Sequence, residues 1–507
     1  MADLSTLAAV DLGSNSFRLQ VARVVDDQIY PLDSLREPVR LAAGIDTQKR
    51  LDEASQQRAL DCLKRFGERL RGMPAEAVRA VGTNTLRVAK NAKEFRAKAE
   101  AALGFPIEVV AGREEARLIY LGVAHDLPVT GEKRLVVDIG GGSTEFIIGS
   151  GYRPQKLESL YMGCVSFSMK FFPGGKLSKA NLKQAELAAR IEVQTIAKEF
   201  SAGRWKEAVG SSGTARALAD IIEQSGWSSG GITAEGLDRL RTALLKAGDA
   251  TKLSFPSLRP DRVPVLPGGF AIMAAIFSEL NVKHMIVANG AMRQGILYDM
   301  VGRFHQRDMR DTTVVQFMKR YHVDIGQARR VEALAAALLR QFAGDLRTAD
   351  AHLLQLLSWA AKLHEIGLSV AHNGYHKHSA YIVRNADMPG FSKMEQSRLA
   401  TLVLAHRGSL DKMQGLLEGE VDFALVAAIR LAVLFYRSRV TATLPKLEAH
   451  YTGSGLRIKL DTEWLRVNPL TAAALADEVR EWRKLGVGLE IKSLQDADID
   501  AAALLAE

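Results

Sequence analysis

Cysteine is nearly absent from this chain: Cys62 and Cys164 are the only two in 507 residues, and no CxxC spacing occurs. That scarcity excludes a disulfide framework and a cysteine-based zinc site, and it fits a reducing, cytoplasmic compartment. Both thiols read as small buried apolar groups. No GxxxxGKS/T sequence is present either, so phosphate binding by a P-loop is excluded. Long hydrophobic runs are lacking too. The longest charge-free one, residues 263–278, is interrupted early by Pro264, Pro267, Gly268 and Gly269. It is too short for a membrane span and predicts a buried helix, so no integral membrane segment is expected. The opening residues, MADLSTLAAVDLG, carry neither the basic region nor the cleavage site of a signal peptide. No low-complexity tract is found. No surface that interleaves aromatic and basic residues for base stacking is visible, which argues against a nucleic-acid partner.

Charge is not scarce. Lys and Arg number 67 against 58 Asp and Glu, a formal excess of +9. An excess of that size favours a polyanion, whether nucleic acid, polyphosphate or acidic lipid, and leaves peripheral membrane association open, beside the alternative of a soluble basic protein with no polyanion partner. At ~150 residues per domain, the length suggests about three or four units.

Two near-copies of one pattern dominate the chain. AAVDLGSNSF (8–17) and LVVDIGGGSTEF (135–146) each run from apolar residues through an aspartate and a glycine to small hydroxyl or amide residues, then to apolar residues again. Each predicts a strand, a tight turn and a second strand, hence a hairpin. Glycine lets such a turn approach a ligand closely, and successive N–H groups form a concave anion site. Ser14, Asn15 and Ser16 in the first copy, with Gly140, Gly141, Gly142, Ser143 and Thr144 in the second, offer donors without bulk. Asp11 and Asp138 stand just before the turns, placed to orient a hydrated magnesium ion.

Around these hairpins, strand and helix signals alternate. The first lobe reads as strands over 8–25, 78–81 and 107–110, with helices over 54–71 and 93–103 and an N-capped helix over 112–124. A second lobe restarts near residue 134 and ends in a strand, glycine turn and helix over 283–301. Alternation with an internal repeat predicts two related α/β lobes with a cleft between them. Beyond about residue 303 strand signals nearly vanish, and eight of the eleven histidines fall between His305 and His406. The domain limits expected are therefore 1–124, 125–303, an all-helical 304–440, and a small α+β domain over 441–507.

Two further strand-to-turn segments carry small donors. VGTNTLR (81–87) starts a helix with Arg87 one turn in, and AVGSSGTARAL (208–218) does likewise after Ser212, Gly213 and Thr214. Helix N-termini hold anions through free N–H groups and the dipole. Arg87 is either a planar fork for phosphate or a surface ion pair. Of Glu114 and Glu115, at the start of the helix that ends the first lobe, at least one is expected to face the cleft. The other is read as a solvated first-turn acid. Glu115 as base on a water, with Glu145 as a metal or water ligand, makes a workable hydrolytic set.

In this order, DLGSNSF, GTNTLR, GREEARLIYLGV, DIGGGSTEF, MGCVSF, GSSGT and NGAMRQG closely resemble the exopolyphosphatase and guanosine pentaphosphate phosphatase family. That family belongs to the superfold of actin, sugar kinases and heat-shock ATPases. RYHVD, LHEIGL and HKHSAYI extend the resemblance into the helical region. It implies two actin-like (ribonuclease H-like) lobes with an interdomain cleft, followed by an all-helical HD-like domain and a small α+β domain. It also implies magnesium-dependent removal of terminal phosphate from linear inorganic polyphosphate, with release of orthophosphate, and a homodimer with a shared channel. Carried over by position, Glu115 matches the general base, Asp138 and Glu145 the acids of the second phosphate loop, and Arg87 the phosphate-contacting arginine. The helical region departs from the HD pattern: His364-Glu365 stands where His-Asp is expected, and Gln327 near the first histidine. His372, His376 and His378 read either as loop contacts to polyphosphate or a second subunit, or as a polar surface loop.

Three rivals stand beside the polyphosphate reading. The same chemistry on guanosine pentaphosphate is not separable by these motifs, although length and basic charge favour the polymer. An ATP-driven kinase would need an adenosine clamp, and NGAMRQG offers only Gly290 and Gly295. A non-catalytic sensor would need the turns but no base, and Glu115 is present.

Overall fold

The computed structural model describes residues 5–25, 28–128, 131–304, 308–346, 351–417, 419–441, 443–452, 455–495 and 497–499. The chain divides into two compact units, Met1–Met309 with Pro389–Lys393, and Arg310–Met388 with Met394–Glu507.

Unit 1 holds two mixed sheets. The first takes β1 (Thr6–Leu12), β2 (Phe17–Val25), β3 (Gln28–Glu37), β4 (Val78–Gly82) and β5 (Ile107–Val109) in the order β3-β2-β1-β4-β5. The second takes β6 (Arg134–Ile139), β7 (Thr144–Ser150), β8 (Arg153–Leu160), β9 (Glu207–Ser211), β10 (Ile232–Thr233) and β11 (His284–Val287) in the order β10-β11-β9-β6-β7-β8. The repeat seen in the sequence is thus a repeat of topology. In each sheet an antiparallel hairpin and a third strand lie on one side, and parallel strands join on the other. The edge strands β3 and β8 gave no sequence signal because their half-exposed residues lack a continuous apolar face, and β10 is only two residues long.

The central strands are buried along nearly their whole length, as parallel pairing with helices on the faces requires. Helix Glu53–Leu70 covers the first sheet with Ala59, Cys62, Leu63, Phe66 and Leu70, a spacing that keeps one stripe on one face. Its N-cap Asp52 accepts from the Ser55 N–H. Cys164 is buried in the second lobe, and both cysteines are free. The apolar run near residue 270 forms helix Leu266–Glu279, buried along most of its length, and no helix among the described residues is long and apolar enough to cross a membrane.

Helix Gly112–Asp126 departs from expectation: its N-cap is Ala111, which has no side-chain acceptor. It lies against helix Met292–Phe304 at a distance that only glycine allows. A Cβ on Gly295 would stand 1.7 Å from the Leu118 carbonyl oxygen, and one on Gly122 would stand 2.1 Å from that of Ala291.

Unit 2 is helical from Met309–Arg320 through Glu420–Phe435, with Ile325–Leu346 and Ala351–Leu363 among its longer elements. It ends in a sheet ordered β12-β13-β14, formed by β12 (Glu448–Thr452), β13 (Gly455–Leu460) and β14 (Gly488–Ser493), with helix Pro469–Arg483 between the last two. β12 was not expected.

Helix propensity alone would make Gly295→Ala stabilising by ~1 kcal/mol. Overlap with Leu118 reverses that sign, and the variant is expected to lose ~2 kcal/mol or more, read as a lower urea midpoint. An unchanged or raised midpoint would show that these helices have no need of glycine there.

Candidate active site

The two hairpin turns that the repeat predicts span Gly13–Ser16 and Gly140–Ser143, closed by the pairs Leu12↔Phe17 and Ile139↔Thr144. Their backbones are folded alike: a Cβ on Gly13 would meet the Ser16 carbonyl at 3.0 Å, and one on Gly140 the Ser143 carbonyl at the same 3.0 Å. The turns face each other across the lobes. A Cβ on Gly141 would lie 2.9 Å from Ser14 Cβ and 3.1 Å from the Asn15 nitrogen, so neither turn tolerates a larger residue at the contact. The chain after β8 supports the second turn from beneath, where the N–H groups of Cys164 and Val165 donate to the Gly140 and Gly141 carbonyls at 2.9 and 3.0 Å.

Between the turns lies a cavity of about 120 Å³, a size suited to a phosphoryl group with a few waters. Of the residues singled out in the sequence, Asp11, Ser14, Asn15, Ser16, Glu115, Asp138, Gly140, Gly141, Ser143, Ser212 and Gly213 line it. The Asn15 Oδ1 and Ser16 Oγ atoms are buried with no protein partner.

The others stand behind this surface. Thr144 Oγ1 donates to the Met162 carbonyl at 2.6 Å and Thr214 Oγ1 to that of Ile139 at 3.0 Å, so both hydroxyls hold loops together. Gly142 packs against Asn84, since a Cβ there would stand 2.5 Å from Asn84 Oδ1. Glu145 is buried and accepts from Ser159 Oγ at 2.8 Å. Arg87 donates to Glu115 Oε2 at 2.7 Å and to the Val110 carbonyl at 3.0 Å, which makes it a largely buried pair of Glu115 rather than a surface one. Glu114 is also corrected. It is not solvated but buried, paired with Arg117 at 2.8 Å.

His378 belongs to unit 2. The segment read as a loop there begins a helix at Tyr375, with His378 half-buried on it. In the same unit His364 Nδ1 lies 2.7 Å from the Ala361 carbonyl, and Gln327 donates to the Tyr436 carbonyl at 2.8 Å.

Four arginines that sequence reasoning passed over also line the cavity: Arg18, Arg216, Arg262 and Arg293. Three had a signal. Arg18 ends the GSNSFR stretch directly opposite Asp11 in the hairpin, Arg216 follows GSSGTA much as Arg87 follows GTNTL, and Arg293 sits inside NGAMRQG. Arg262 had none, since only tertiary packing brings it beside Gly213.

Burial shapes the electrostatics first, and neighbouring charge second. Burial raises Asp11 to about 7, with Arg18 and Arg293 opposing and Glu115 and Asp138 adding to the rise. Burial likewise raises Asp138 to about 6, against hydrogen bonds from Ser211 and Ser212. Glu145 is pushed well up by burial, then by Glu115 and Asp138. On the cationic side, burial lowers Arg18 to about 10, with Arg293 adding to the fall, and it lowers Arg262 and Arg293 too. Burial thus disfavours the charged form of the carboxylates and of the arginines alike. Added anionic oxygens would relieve the arginines, and a cation would relieve the carboxylates.

Among the described residues no group of three or more His, Cys, Asp or Glu is set to hold a metal on its own. Asp11 and Asp138, which line one cavity from opposite lobes, do fit an ion that keeps most of its waters and takes the rest of its ligands from substrate.

Comparison with known proteins identifies the family. A model described as the Ppx/GppA phosphatase family matches residues 20–304, and a second, Ppx/GppA phosphatase domain III, matches residues 309–479. A guanosine-5'-triphosphate,3'-diphosphate pyrophosphatase of Vibrio cholerae serotype O1 is 40% identical over 487 residues, 96% of this chain and 98% of that one. An exopolyphosphatase structure from Cytophaga hutchinsonii shares the fold, with a TM-score of 0.53 at 23% identity over 58% of this chain and 97% of its own. A Ppx/GppA family member from Aquifex aeolicus gives a TM-score of 0.50 at 26% identity, over 59% of this chain and 98% of its own. Family models over both halves, a relative matched almost end to end and the two-lobed α/β fold lead to one conclusion: this chain belongs to the Ppx/GppA phosphatase family, with its actin-like fold.

Proposed function

We propose that the chain is an exopolyphosphatase, which cleaves the terminal phosphoanhydride bond of linear inorganic polyphosphate and releases orthophosphate. The observation that carries this reading is the convergence in one small cavity of two facing glycine turns, the carboxylates of Asp11, Glu115 and Asp138, and four arginines. The arginines and turn N–H groups suit the oxygens of a phosphate chain, and the planar forks suit paired oxygens in particular.

In this mechanism the terminal phosphoryl group sits between the turns. Glu115, held from one side by Arg87, orients a water in line with the bridging oxygen and takes its proton. The new P–O bond forms as the bridging P–O bond breaks, and the shortened chain leaves with the electron pair of that bond, its charge taken up by the arginines. Positioning and fixed electrostatics supply most of the rate. Asp11 and Asp138 would hold a magnesium ion, which when bound neutralises charge on the phosphoryl oxygens; Glu145 stands behind the cavity wall, against Ser159. The two free, buried cysteines support a cytoplasmic setting, and the homodimer implied by the family resemblance belongs to the same proposal.

A second reading, guanosine pentaphosphate hydrolysis in the same cavity, is favoured by the 40% identical Vibrio cholerae relative. Orthophosphate release from long polyphosphate, guanosine pentaphosphate and ATP, measured side by side with magnesium, decides between them. Polyphosphate is expected to be cleaved fastest. Cleavage of the guanosine nucleotide alone would favour the second reading, and no release from any of the three would sink both.

Glu115→Gln is expected to lower turnover by at least ~100-fold while binding of substrate stays close to that of the parent. Near-parental turnover would remove Glu115 as the base. Magnesium added to metal-free protein should raise the melting temperature more at pH 8 than at pH 5. Below about 6 to 7 protons occupy Asp138 and Asp11, and above that range both are ionised and open to the cation. Asp11→Asn should shrink the gain at pH 8; an equal gain at both pH values would speak against these two carboxylates.

A further inference from the structure

The first turn of helix Gly112–Asp126 carries Glu115, yet its N-cap, Ala111, offers no side chain to hold it. An uncapped turn leaves orphan N–H groups and is the part of a helix that frays first. Buried charge does the holding here. Glu114, 3% exposed, accepts two hydrogen bonds from Arg117 at 2.8 Å and a third from the Gly390 N–H at 2.8 Å. Arg117 also donates to Asp299 at 2.6 Å. Asp299 accepts from Arg303 at 3.1 Å, and Arg303 donates to the Gly390 carbonyl at 3.1 Å. The contacts thus close into a ring, from Glu114 through Arg117, Asp299, Arg303 and Gly390 back to Glu114.

Each member sits on an element that also reaches the cavity, or locks one that does. Asp299 and Arg303 lie on helix Met292–Phe304, whose first residues Met292 and Arg293 line the cavity. Arg79 on β4 donates to Asp299 at 2.6 Å, and β4 leads directly to the cavity residue Thr83. Gly390, at φ +90°, has a left-handed backbone that favours glycine. It lies in Pro389–Lys393, the short stretch of the later sequence that belongs to unit 1.

We propose that Glu114, Asp299 and the main chain of Gly390 are positioning groups for hydrolysis, which fix the first helical turn so that Glu115 is aimed at the attacking water. This rests on Glu115 being the base. None of the three lines the cavity; they act through the helical turn that carries Glu115. Substrate binding should therefore survive their loss better than turnover does, because the turns and arginines that bind phosphate stay in place.

Glu114→Gln tests this. It keeps the shape and an acceptor oxygen for the Gly390 N–H but drops the charge that holds Arg117. On inorganic tripolyphosphate and on long polyphosphate, kcat should fall by ~10- to 100-fold, the scale of a small misplacement of a reacting group. KM should stay within about threefold of the parent and circular dichroism should match it, so that the ratio isolates aim from binding. Arg113→Gln, in the same turn but in a partly exposed pair with Glu158, should leave both constants unchanged. Parental kcat in folded Glu114→Gln, or a loss confined to KM, would overturn the proposal. If that variant does not fold, folded Glu114→Asp replaces it, since the shorter side chain cannot span both Arg117 and Gly390. Lowered kcat at parental KM supports the ring, and parental kcat overturns it. Glu115→Gln in the same assay separates the two levels. A fully active Glu115→Gln removes the base, whereas a silent Glu114→Gln beside an inactive Glu115→Gln removes only the ring.

Discussion

Unit 1 depends on one close approach, in which two glycine turns from different lobes meet backbone to backbone at Gly141 and Ser14. A methyl group at that contact would push the lobes apart, so the small residues that define the repeat are a condition of closure as well as possible donors to a ligand. Closure then sets the electrostatics. It brings Asp11 from one lobe and Asp138 from the other, together with Glu115, to the wall of one small cavity. The raised pKa values of Asp11, Asp138 and Glu145 follow from lost hydration first and from neighbouring carboxylates second. Such strain in charge is stored where chemistry uses it.

The two copies of the hairpin share backbone and register but differ in charge. Asp11 stands directly opposite Arg18 in the first, whereas Asp138 stands opposite Glu145 in the second. A cation across the strand pair is favourable, and a like charge costs stability. Under the proposed reaction the first copy thus adds a fork for phosphate oxygens and the second concentrates negative charge where a cation is wanted. Duplication supplied the frame, and one position in each copy divided the work.

Helix Gly112–Asp126 shows how the rest of the fold serves that frame. Glycines at 122, 290 and 295 bring helix Met292–Phe304 close enough for carbonyl contact. That proximity in turn lets Asp299 collect Arg79, Arg117 and Arg303. Burial opposes the ionised form of Asp299, but the three guanidiniums outweigh it and hold its carboxyl far below the usual range. Removing any one of these partners would leave buried charge uncompensated.

The chain announced its two lobes because strand, glycine turn and strand are local signals, and the repeated spacing made each more telling. It announced Asp11, Asp138 and Glu115 for the same reason, since each adjoins a turn or a helix start. What sequence alone could not determine was the partner of each charge. Glu114 and Glu115 are neighbours with the same side chain, and nothing local says that one lines the cavity and meets Arg87 behind it while the other turns to Arg117 and Gly390. Arg262 and Gly390 carry no mark of their place, because packing across the fold assigns it. Edge strands β3, β8 and β12 stayed hidden since pairing, not pattern, makes them strands. Short-range preferences of backbone and hydrophobic spacing are written residue by residue, whereas a buried charge takes its meaning from whatever distant chain segment folds beside it.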